Sequence, residues 1–482
     1  MKWVPLKKNF VYQSLYQLLI IILPLITAPY ISRILGAENV GIYSYTYIIA
    51  NYFVVFANLG IESYGNRCIA CTRENEDEKN RVFSEIFELH VIISVIVIIV
   101  YLGLTFFVRG KFKIFLAIQG LFVASSLFDV NWFFFGIEKF KITVTRNMII
   151  KICTVLLIFI TVKTKNDLWK YSLIMSGGTL VSQVALWSFI PKYVKFRKTN
   201  FKDCIKHVKP LLILFIAVIA TNMYRMIDKF MLGWRGDLTA LGCYEYADKF
   251  IRIPLGFITA YGTVMLSRMS NIFTKKVGKK ANEILSMSGT FVILLSFAMA
   301  FGLAAISPDF IIIFLGGEYE QTVGLLIILS ITIPLIGWNN YVRTQILIPT
   351  NNDKTYTMAV TIGAMVNFFL NLIFINFWGA EGAAIATIFS YSTVSIIQTP
   401  IAVKFVANTK FGKDILFSVI AGTLMLIVVR IIGYYAGARI SSIVFEVVAG
   451  VIIYSLMTAT YVYVFYKKYF YEFVKYTRRR IK

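Results

Sequence analysis

The chain has 482 residues, of which 58% are hydrophobic and 15% are charged, and its formal net charge is +24. Soluble domains carry about 25% charged residues, so this chain has too few polar residues to cover the cores that a soluble protein of this length would form. The composition therefore excludes an ordinary soluble protein and indicates a chain that lies in a membrane.

Fourteen apolar segments follow one another along the chain and predict an all-α polytopic membrane protein. A hydrocarbon core of roughly 30 Å needs about 20 mainly apolar residues in a helix, because the helix satisfies every backbone polar group within the segment. The first segment follows Lys7 and Lys8 and exceeds the roughly 7–15 apolar residues of a signal-peptide core, so we expect a span rather than a cleaved signal. The predicted spans are 9–32, 40–62, 86–108, 113–135, 143–162, 170–190, 208–231, 245–267, 284–306, 321–347, 355–377, 382–405, 413–435 and 441–466.

The distribution of lysine and arginine predicts the orientation of these spans. With the N-terminus in the cytoplasm, 33 of the 49 basic residues lie in inside segments, 10 lie outside and six lie within spans. The positive-inside rule therefore predicts that both termini are cytoplasmic. The net charge needs no nucleic-acid partner, and we expect the basic, aromatic-rich segments 192–198 and 467–480 to bind anionic lipid head groups.

The five cysteines and two histidines predict neither a metal site nor a cofactor site. Cys68 and Cys71 form a C-x-x-C pair on the predicted cytoplasmic side, but neither His90 nor His207 completes a metal-ligand spacing with it. A structural metal site takes four such ligands. We therefore expect ordinary reduced thiols.

An internal repeat divides the chain into two halves of the same orientation. The G-x-Y-x-Y pattern at Gly41–Tyr45 recurs at Gly242–Tyr246, an offset of 201 residues with six spans between the copies. Parallel repeats of this kind surround a substrate site near their pseudo-symmetry axis. We therefore predict one lobe at 1–206 with spans one to six, a second at 207–408 with spans seven to twelve, and spans 13 and 14 with a basic tail at 409–482.

Three stretches resemble motifs of polysaccharide exporters of the multidrug/oligosaccharidyl-lipid/polysaccharide superfamily. They are Ser32–Tyr43 (SRILGAENVGIY), Asp228–Gly233 (DKFMLG) and Gly379–Thr387 (GAEGAAIAT). The resemblance covers the whole chain in its span number and half-repeat layout. It implies two six-helix lobes packed in a V, plus two C-terminal helices, in the bacterial cytoplasmic membrane.

The same resemblance implies a flippase rather than an enzyme. Its substrate would be an undecaprenyl-pyrophosphate-linked oligosaccharide, moved to the outer leaflet for O-antigen, capsule or related polymers such as exopolysaccharide. The resemblance leaves open whether the chain also contacts other polysaccharide-assembly membrane proteins.

Ionisable residues inside a span are costly, so each one is a candidate for function. Span seven carries Arg225, Asp228 and Lys229 on one helical face, and span eight carries a second charged face. We expect the two faces to meet and to hold a surplus of two cations, which Glu245 would reduce to one. The residues of the second face are Asp248, Lys249 and Arg252.

A cationic surplus suits a pyrophosphate group, because the guanidinium fork of arginine binds phosphate oxygens in pairs and keeps its charge. We predict that Arg225 and Arg252 contact the diphosphate or acidic sugars, with Lys229 and Lys249 beside them. Asp228 and Asp248 would orient these cations or carry coupling protons. The alternative is a set of closed ion pairs with snorkelling lysines. Tyr224 is the aromatic residue predicted to contact sugar.

Three more charged residues and two prolines complete the candidate set. Lys151 and Asp129 would form a pair within the first lobe, lining a cavity or simply buried, and Arg343 lies either in the cavity or at the membrane interface. Pro24 and Pro254 interrupt spans one and eight, and each removes a backbone hydrogen bond, which permits a bend. We predict hinge roles for both prolines.

Two other functions compete with a flippase. An ion-coupled multidrug exporter would place an acid deep in the first helix, whereas span one has none before Glu38. A membrane glycosyltransferase or polymerase would need catalytic residues on a sizeable outer loop, and the longest one, 232–244, offers Arg235, Asp237 and little else. The sequence has no G-x-x-x-x-G-K-[ST] loop for direct use of ATP.

Overall fold

A computed structural model describes the backbone of residues 4–274, 278–406, 410–437 and 439–466. The predicted lipid-anchoring tail at 467–480 lies outside the described residues. Within the described ranges, the side chains that are not described are those of 4–22, 201, 217, 220, 221, 223, 274 and 278–280.

The described chain is helical and contains no strand. Sixteen α-helices follow in chain order, and α10 connects the two compact units described below. They are α1 (Val4–Asn58), α2 (Ile61–Thr72), α3 (Glu76–Phe107), α4 (Phe112–Ser125), α5 (Asn131–Gly136), α6 (Phe140–Thr161), α7 (Leu168–Trp187), α8 (Phe201–Ile205), α9 (Val208–Arg235), α10 (Leu238–Thr274), α11 (Gly278–Leu315), α12 (Gln321–Ser330), α13 (Thr332–Val342), α14 (Asp353–Phe405), α15 (Phe411–Ala436) and α16 (Ile440–Phe465).

Two of the longest helices contain a sharp turn at a glycine. Gly36 in α1 has φ 76° and ψ 170°, and Gly379 in α14 has φ 55° and ψ −130°. Only glycine adopts positive φ at little steric cost. Each of these helices therefore consists of two rods joined at a corner, and Gly-Ala-Glu begins at both corners.

Within the described residues, eleven helical segments are long and apolar enough to cross a membrane. Two of them contain the glycine corners and so hold two predicted spans each, whereas α9 is not among the eleven. Each predicted span contains α-helix, although the fourth, 113–135, is divided between α4 and α5 at 126–130. The number of crossings stays a prediction. The chain is a multi-pass helical membrane protein.

The outward faces of these helices are apolar, as expected where helices contact lipid. For example, the exposed fractions of Ile99 in α3, Ile160 in α6 and Val451 in α16 are 63%, 68% and 60%. Contiguous exposed apolar surface on this scale is rare in soluble proteins. The lipid bilayer is the solvent that this surface requires.

The chain forms two compact units, Met1–Glu245 and Tyr246–Lys482. In the first unit, a core of large aromatic side chains includes Phe83, Trp132 and Phe133, which are at most 2% exposed. In the second unit, α11, α15 and α16 pack together around Ala305, Met425 and Tyr454 among others. The lobe boundary predicted after residue 206 stays a prediction.

Candidate functional site

The two copies of the G-x-Y-x-Y repeat pack directly on each other within the first unit. A Cβ atom at Gly41 would overlap the carbonyl oxygen of Leu238, and one at Gly242 would overlap the carbonyl oxygen of Ala37. The backbone of each copy therefore approaches the glycine of the other so closely that no residue with a Cβ atom fits there. Small residues spaced by four positions permit this close crossing of membrane helices.

This contact has the form of a local two-fold relation. Ala37 and Leu238 are 201 residues apart, as are Gly41 and Gly242, so each copy contributes the same two positions to the contact. Position 37 meets position 242 and position 238 meets position 41, which is the reciprocal pattern of an isologous interface. The repeat predicted from the sequence is thus a physical pairing of two chain segments.

A buried ion pair lies beside this crossing. Lys229 Nζ on α9 lies 2.8 Å from Glu245 Oε2 on α10, with side chains only 11% and 16% exposed. The hydroxyl of Ser44 donates to the same carboxylate oxygen at 3.0 Å. One residue earlier on each helix, the hydroxyl of Tyr244 on α10 donates to Asp228 Oδ2 on α9 at 3.0 Å. Lys229 and Asp228 are thus held by α10 residues next to the repeat contact.

Tyrosine rings surround the Lys229–Glu245 pair. The phenol of Tyr47 lies within electrostatic range of Glu245, Lys229 and Arg225. Tyr47 stacks on Tyr43 at a centroid distance of 6.0 Å, and Tyr43 meets Tyr171 edge-on at 4.7 Å. These rings are half-buried side chains of the first unit, and their sequence positions also suit a membrane-interface belt.

Arg225 and Tyr224 occupy different environments on α9. Arg225 is exposed, one helical turn before Lys229, and Tyr224 is half-buried. The spacing of four residues places Arg225 and Lys229 on one helical face, as predicted. Arg225 also lies within electrostatic range of the Tyr47 phenol.

The second unit holds the other predicted charged face, on α10. Arg252 donates from Nε to Asp248 Oδ2 at 3.0 Å, and its Nη2 lies 2.9 Å from the same oxygen in an ion pair. Lys249 lies over the ring of Tyr246, 5.0 Å from its centroid. Asp248 thus holds the guanidinium of Arg252 in a fixed orientation.

Across both faces the formal surplus is one cation. The cations are Arg225, Lys229, Lys249 and Arg252, and the acids are Asp228, Asp248 and Glu245. Glu245 accounts for the reduction, because it pairs with Lys229.

Asp129 belongs to a hydrogen-bonded network in the first unit. Its Oδ1 accepts from the backbone and the side chain of Asn131, at 3.0 Å and 2.7 Å. Arg146, which is 7% exposed, donates to Asn131 Oδ1 at 3.0 Å and to the carbonyl of Ser182 at 2.8 Å. Asn131 rather than Lys151 therefore supplies the hydrogen bonds to Asp129. Lys151 is half-buried on α6.

Arg146 was not among the predicted site residues, although it lies within predicted span five, 143–162. Its position six residues after the start of α6 was a usable signal, since an arginine inside a span needs polar partners. Asn131, Asn147 and Gln183 supply them. The first unit thus contains a polar interior site centred on Arg146.

The remaining predicted residues are dispersed. Arg343 begins a π-helical turn, Arg343–Leu347, and its guanidinium lies 5.1 Å from the ring centroid of Tyr356. π-Helical turns occur frequently at functional sites. Pro24 is exposed within α1, and α10 continues through Pro254. The hinge roles of both prolines stay predictions.

A large apolar cavity lies within the second unit. Its volume is about 840 Å³, and side chains of α10, α11, α15 and α16 line it. Ligand pockets commonly measure about 300–1,000 Å³, so the space is sufficient for part of a large apolar ligand. The lining includes Pro254, Phe257, Phe291, Leu294, Met425 and Val451.

Metal binding finds no support in the described part of the chain. No group of three His, Cys, Asp or Glu side chains there is placed to hold an ion. All five cysteines are free thiols, two of which, Cys204 and Cys243, are buried.

Two solved structures share the fold of this chain. The chain matches a structure of the lipid II flippase MurJ in an inward closed conformation with a TM-score of 0.77 and 18% identity, covering 94% of this chain and 99% of that one. A mutant form of the MATE transporter VcmN of Vibrio cholerae matches with a TM-score of 0.51 and 12% identity, covering 83% and 96%. At these identities the likeness shows the fold alone.

A sequence comparison gives the family. The family model for polysaccharide biosynthesis proteins matches residues 6–273. A protein of Escherichia coli (strain K12) named for O-antigen transport is 24% identical over 417 residues, covering 84% of this chain and 97% of that protein. The chain belongs to the polysaccharide biosynthesis protein family.

Proposed function

We propose that the chain is a flippase for undecaprenyl-pyrophosphate-linked oligosaccharide repeat units, which it moves from the cytoplasmic to the outer leaflet. The product would feed synthesis of capsule, O-antigen or exopolysaccharide. The observation that carries this proposal is a large apolar cavity in a chain of the polysaccharide biosynthesis family. Such a substrate has a long apolar tail, and burying apolar area contributes roughly 25 cal/mol per Å².

The charged residues suit the polar part of this substrate. Arg225 is exposed in the first unit, and Arg252 is oriented by Asp248 in the second. An arginine contact to phosphate is a charge-assisted and frequently bidentate hydrogen bond. In the proposed mechanism each arginine contacts the diphosphate or an acidic sugar, and Lys229 and Lys249 add positive charge.

The tyrosines suit the sugars. Tyr43, Tyr47 and Tyr171 present ring faces and hydroxyl groups in the first unit, and Tyr224 is adjacent to Arg225. Aromatic rings combine a large apolar surface with a polar tip. Alternating access then requires bending or rocking of helices, for which Pro24 and Pro254 are the proposed hinges.

A multidrug exporter is the second candidate, favoured only by the MATE-like fold. The sequence relative argues against it, because that relative is named for O-antigen transport and matches over most of both chains. A glycosyltransferase or polymerase is the third candidate, and the comparisons reported above match carriers rather than enzymes.

We also propose the bacterial cytoplasmic membrane as the location, with both termini in the cytoplasm. The asymmetry of basic residues supports this orientation. Anionic lipids are the expected partners of the basic segments at the membrane surface. Contacts with other polysaccharide-assembly membrane proteins would follow from handing the substrate to the next step.

Translocation in proteoliposomes tests the proposed function. Purified protein is reconstituted with a fluorescent undecaprenyl-pyrophosphate oligosaccharide, and an added glycosidase reports how much substrate becomes accessible. We expect protein-dependent exposure above that of empty liposomes. Efflux of a cationic dye without glycan exposure, across a series of glycans and ion gradients, would instead establish the multidrug exporter.

A further inference from the structure

Three ionisable side chains of the second unit lie at one depth in the membrane. Glu446 lies six residues after the start of α16, Asp309 six residues before the end of α11, and Arg430 six residues before the end of α15. At a rise of 1.5 Å per residue, each is about 9 Å along its helix from that end. The predicted candidate site includes none of them.

Asp309 and Arg430 form an ion pair, with Arg430 Nη1 2.7 Å from Asp309 Oδ2. This pair accounts for one acid and one base. Glu446 is the third member, and among the described residues no hydrogen bond or ion pair to its carboxyl group is found. If Glu446 were ionised, the cluster would carry one net negative charge inside a membrane span, which is energetically costly.

Glu446 is completely buried, and neither of its carboxyl oxygens has a hydrogen-bond partner in the described structure. A Cβ built on Gly433 would lie 3.0 Å from Glu446 Oε1 and 2.9 Å from Asp309 Oδ2. The two oxygens are therefore less than about 6 Å apart, a separation at which two carboxylates repel strongly in a medium of low dielectric constant. A buried charge without a partner costs far more than a buried neutral acid.

The groups that act on Glu446 come from both neighbouring helices. Among the described residues, the charged groups within electrostatic range of Glu446 are Asp309 on α11 and Arg430 on α15. On its own helix, Tyr454 lies two turns away and donates its hydroxyl to the carbonyl of Leu294. A hard metal cation typically takes about six or more oxygen ligands, and the adjacent guanidinium of Arg430 opposes one.

Glu446 also lines the apolar cavity, next to Val447, Gly450 and Val451. An apolar chain in this cavity would replace water in the space beside the buried carboxyl group, lower the local dielectric constant and so favour its neutral, protonated form. By linkage, a proton on Glu446 would favour the chain in return.

We propose that Glu446 is a proton-binding site coupled to occupancy of the cavity by an apolar chain. Binding of the chain takes up a proton at Glu446, and release of the proton weakens binding of the chain. The identity of that chain as the tail of a lipid-linked glycan rests on the proposed function, whereas the proton site does not.

Infrared difference spectroscopy tests the proton site on the full chain in nanodiscs, without any transport assay. The carbonyl stretch of a protonated carboxyl group is followed between about pH 4 and pH 9, a range that spans the ordinary Glu pKa and neutrality. We expect a titrating band that is lost in Glu446→Gln, kept in shifted form in Glu446→Asp, and unchanged in the control Glu320→Gln, which alters an exposed acid.

Undecaprenol, which has an apolar chain and no charge, then tests the coupling. We expect it to raise the proton affinity of Glu446 about fivefold or more, the range of ordinary allosteric coupling. Absence of a band that depends on Glu446 in folded protein would overturn the proton site, as would a band that disappears with added sodium at constant pH. A band whose pH dependence does not change when undecaprenol is added would overturn the coupling.

These outcomes are separate from failure of the proposed function. A chain that flips no glycan can still show the Glu446 band, and a flippase can lack it. The spectrum therefore tests the site, and the proteoliposome assay tests the transport.

Discussion

Ser44 and Glu245 occupy equivalent positions of the two repeat copies, 201 residues apart, and the hydroxyl of Ser44 donates a hydrogen bond of 3.0 Å to the carboxylate of Glu245. Residues related by a two-fold axis meet each other only where that axis passes between them. The bond therefore marks the local pseudo-two-fold axis of the repeat, and Lys229 pairs with Glu245 at the same place.

Breaking the Lys229–Glu245 pair should destabilise the protein. Lys229→Met leaves a nearly buried carboxylate without its cation, and loss of one partner of a buried pair costs about 3–5 kcal/mol. The double variant Lys229→Met with Glu245→Gln should recover part of this loss. Thermal unfolding in detergent measures both effects, and Lys198→Ala, which changes an exposed lysine, is the control. Equal stability of all variants would show that the pair contributes nothing.

Adding a single methyl group at the repeat contact should be harmful. Gly41→Ala and Gly242→Ala would each force a Cβ into a backbone carbonyl of the other copy, and overpacking typically costs about 1–3 kcal/mol. Gly177→Ala is the matched control, because no atom lies within 4 Å of its Cβ position and alanine is the better helix former. The measurements are the amount of folded protein in membranes and its melting temperature. Normal folding of both repeat variants would contradict the contact.

Removing either predicted phosphate contact should slow transport without preventing insertion. Arg225→Ala and Arg252→Ala each lose a hydrogen-bonding cation, and such bonds contribute about 1.5–3 kcal/mol, which corresponds to roughly tenfold to hundredfold in rate. Glycan exposure in proteoliposomes gives the rate, with Lys198→Ala as the control. Wild-type rates in both variants would refute the cationic-site hypothesis.

Filling the apolar cavity should also slow transport. At Gly302, which lines the cavity, a Cβ would contact only Met425 Cε, at 3.8 Å, so Gly302→Phe places a ring in the space proposed for the lipid tail. A loss of about 1.4 kcal/mol of binding is tenfold in affinity, and we expect an effect of roughly that size. Gly103→Phe is the control, since it adds the same ring at an exposed position of α3 with no atom within 4 Å. Unchanged transport by Gly302→Phe would exclude the cavity.

Thiol labelling tests the orientation in the membrane. Cys71 is exposed and lies on the predicted cytoplasmic side, so a membrane-impermeant maleimide should label it only after spheroplasts are permeabilised. Cys204 is buried, and burial raises the pKa of its thiol, so little reactive thiolate is present near neutral pH and labelling should increase as the pH rises. Each cysteine is tested alone, in a chain whose other four are replaced by alanine. Labelling of Cys71 in intact spheroplasts would show that the orientation in the membrane is opposite to the predicted one.

Much of the fold follows from the sequence, because apolar helices in lipid have few alternatives. Each predicted span contains α-helix, although the fourth is divided between α4 and α5. The glycine between spans one and two and that between spans 11 and 12 form the sharp corners. The spacing within 225–229 and within 248–252 predicts shared helical faces, and both stretches are helical. These features depend on local periodicity, which a single sequence displays directly.

The partners of each charge could not be predicted in the same way. Asp129 pairs with Asn131 rather than Lys151 because the chain between α4 and α6 folds into a short helix that brings Asn131 next to it. An acid within the apolar run 441–466 draws attention to Glu446 in the sequence. Its proximity to Asp309, however, arises only because three helices pack at one level. Such tertiary proximity is absent from local periodicity.

The crossing of the two repeat copies also bears on how such a chain can change over generations. Each glycine faces a backbone carbonyl rather than a side chain, so the residue that offers the carbonyl can drift while the glycine cannot. Ala37 and Leu238 show the permitted divergence at equivalent positions. If a gene for a half-length protein were duplicated, the two copies of the protein segment could pack on each other without a new contact surface. Each copy would already carry both the glycine and the carbonyl that the other copy requires.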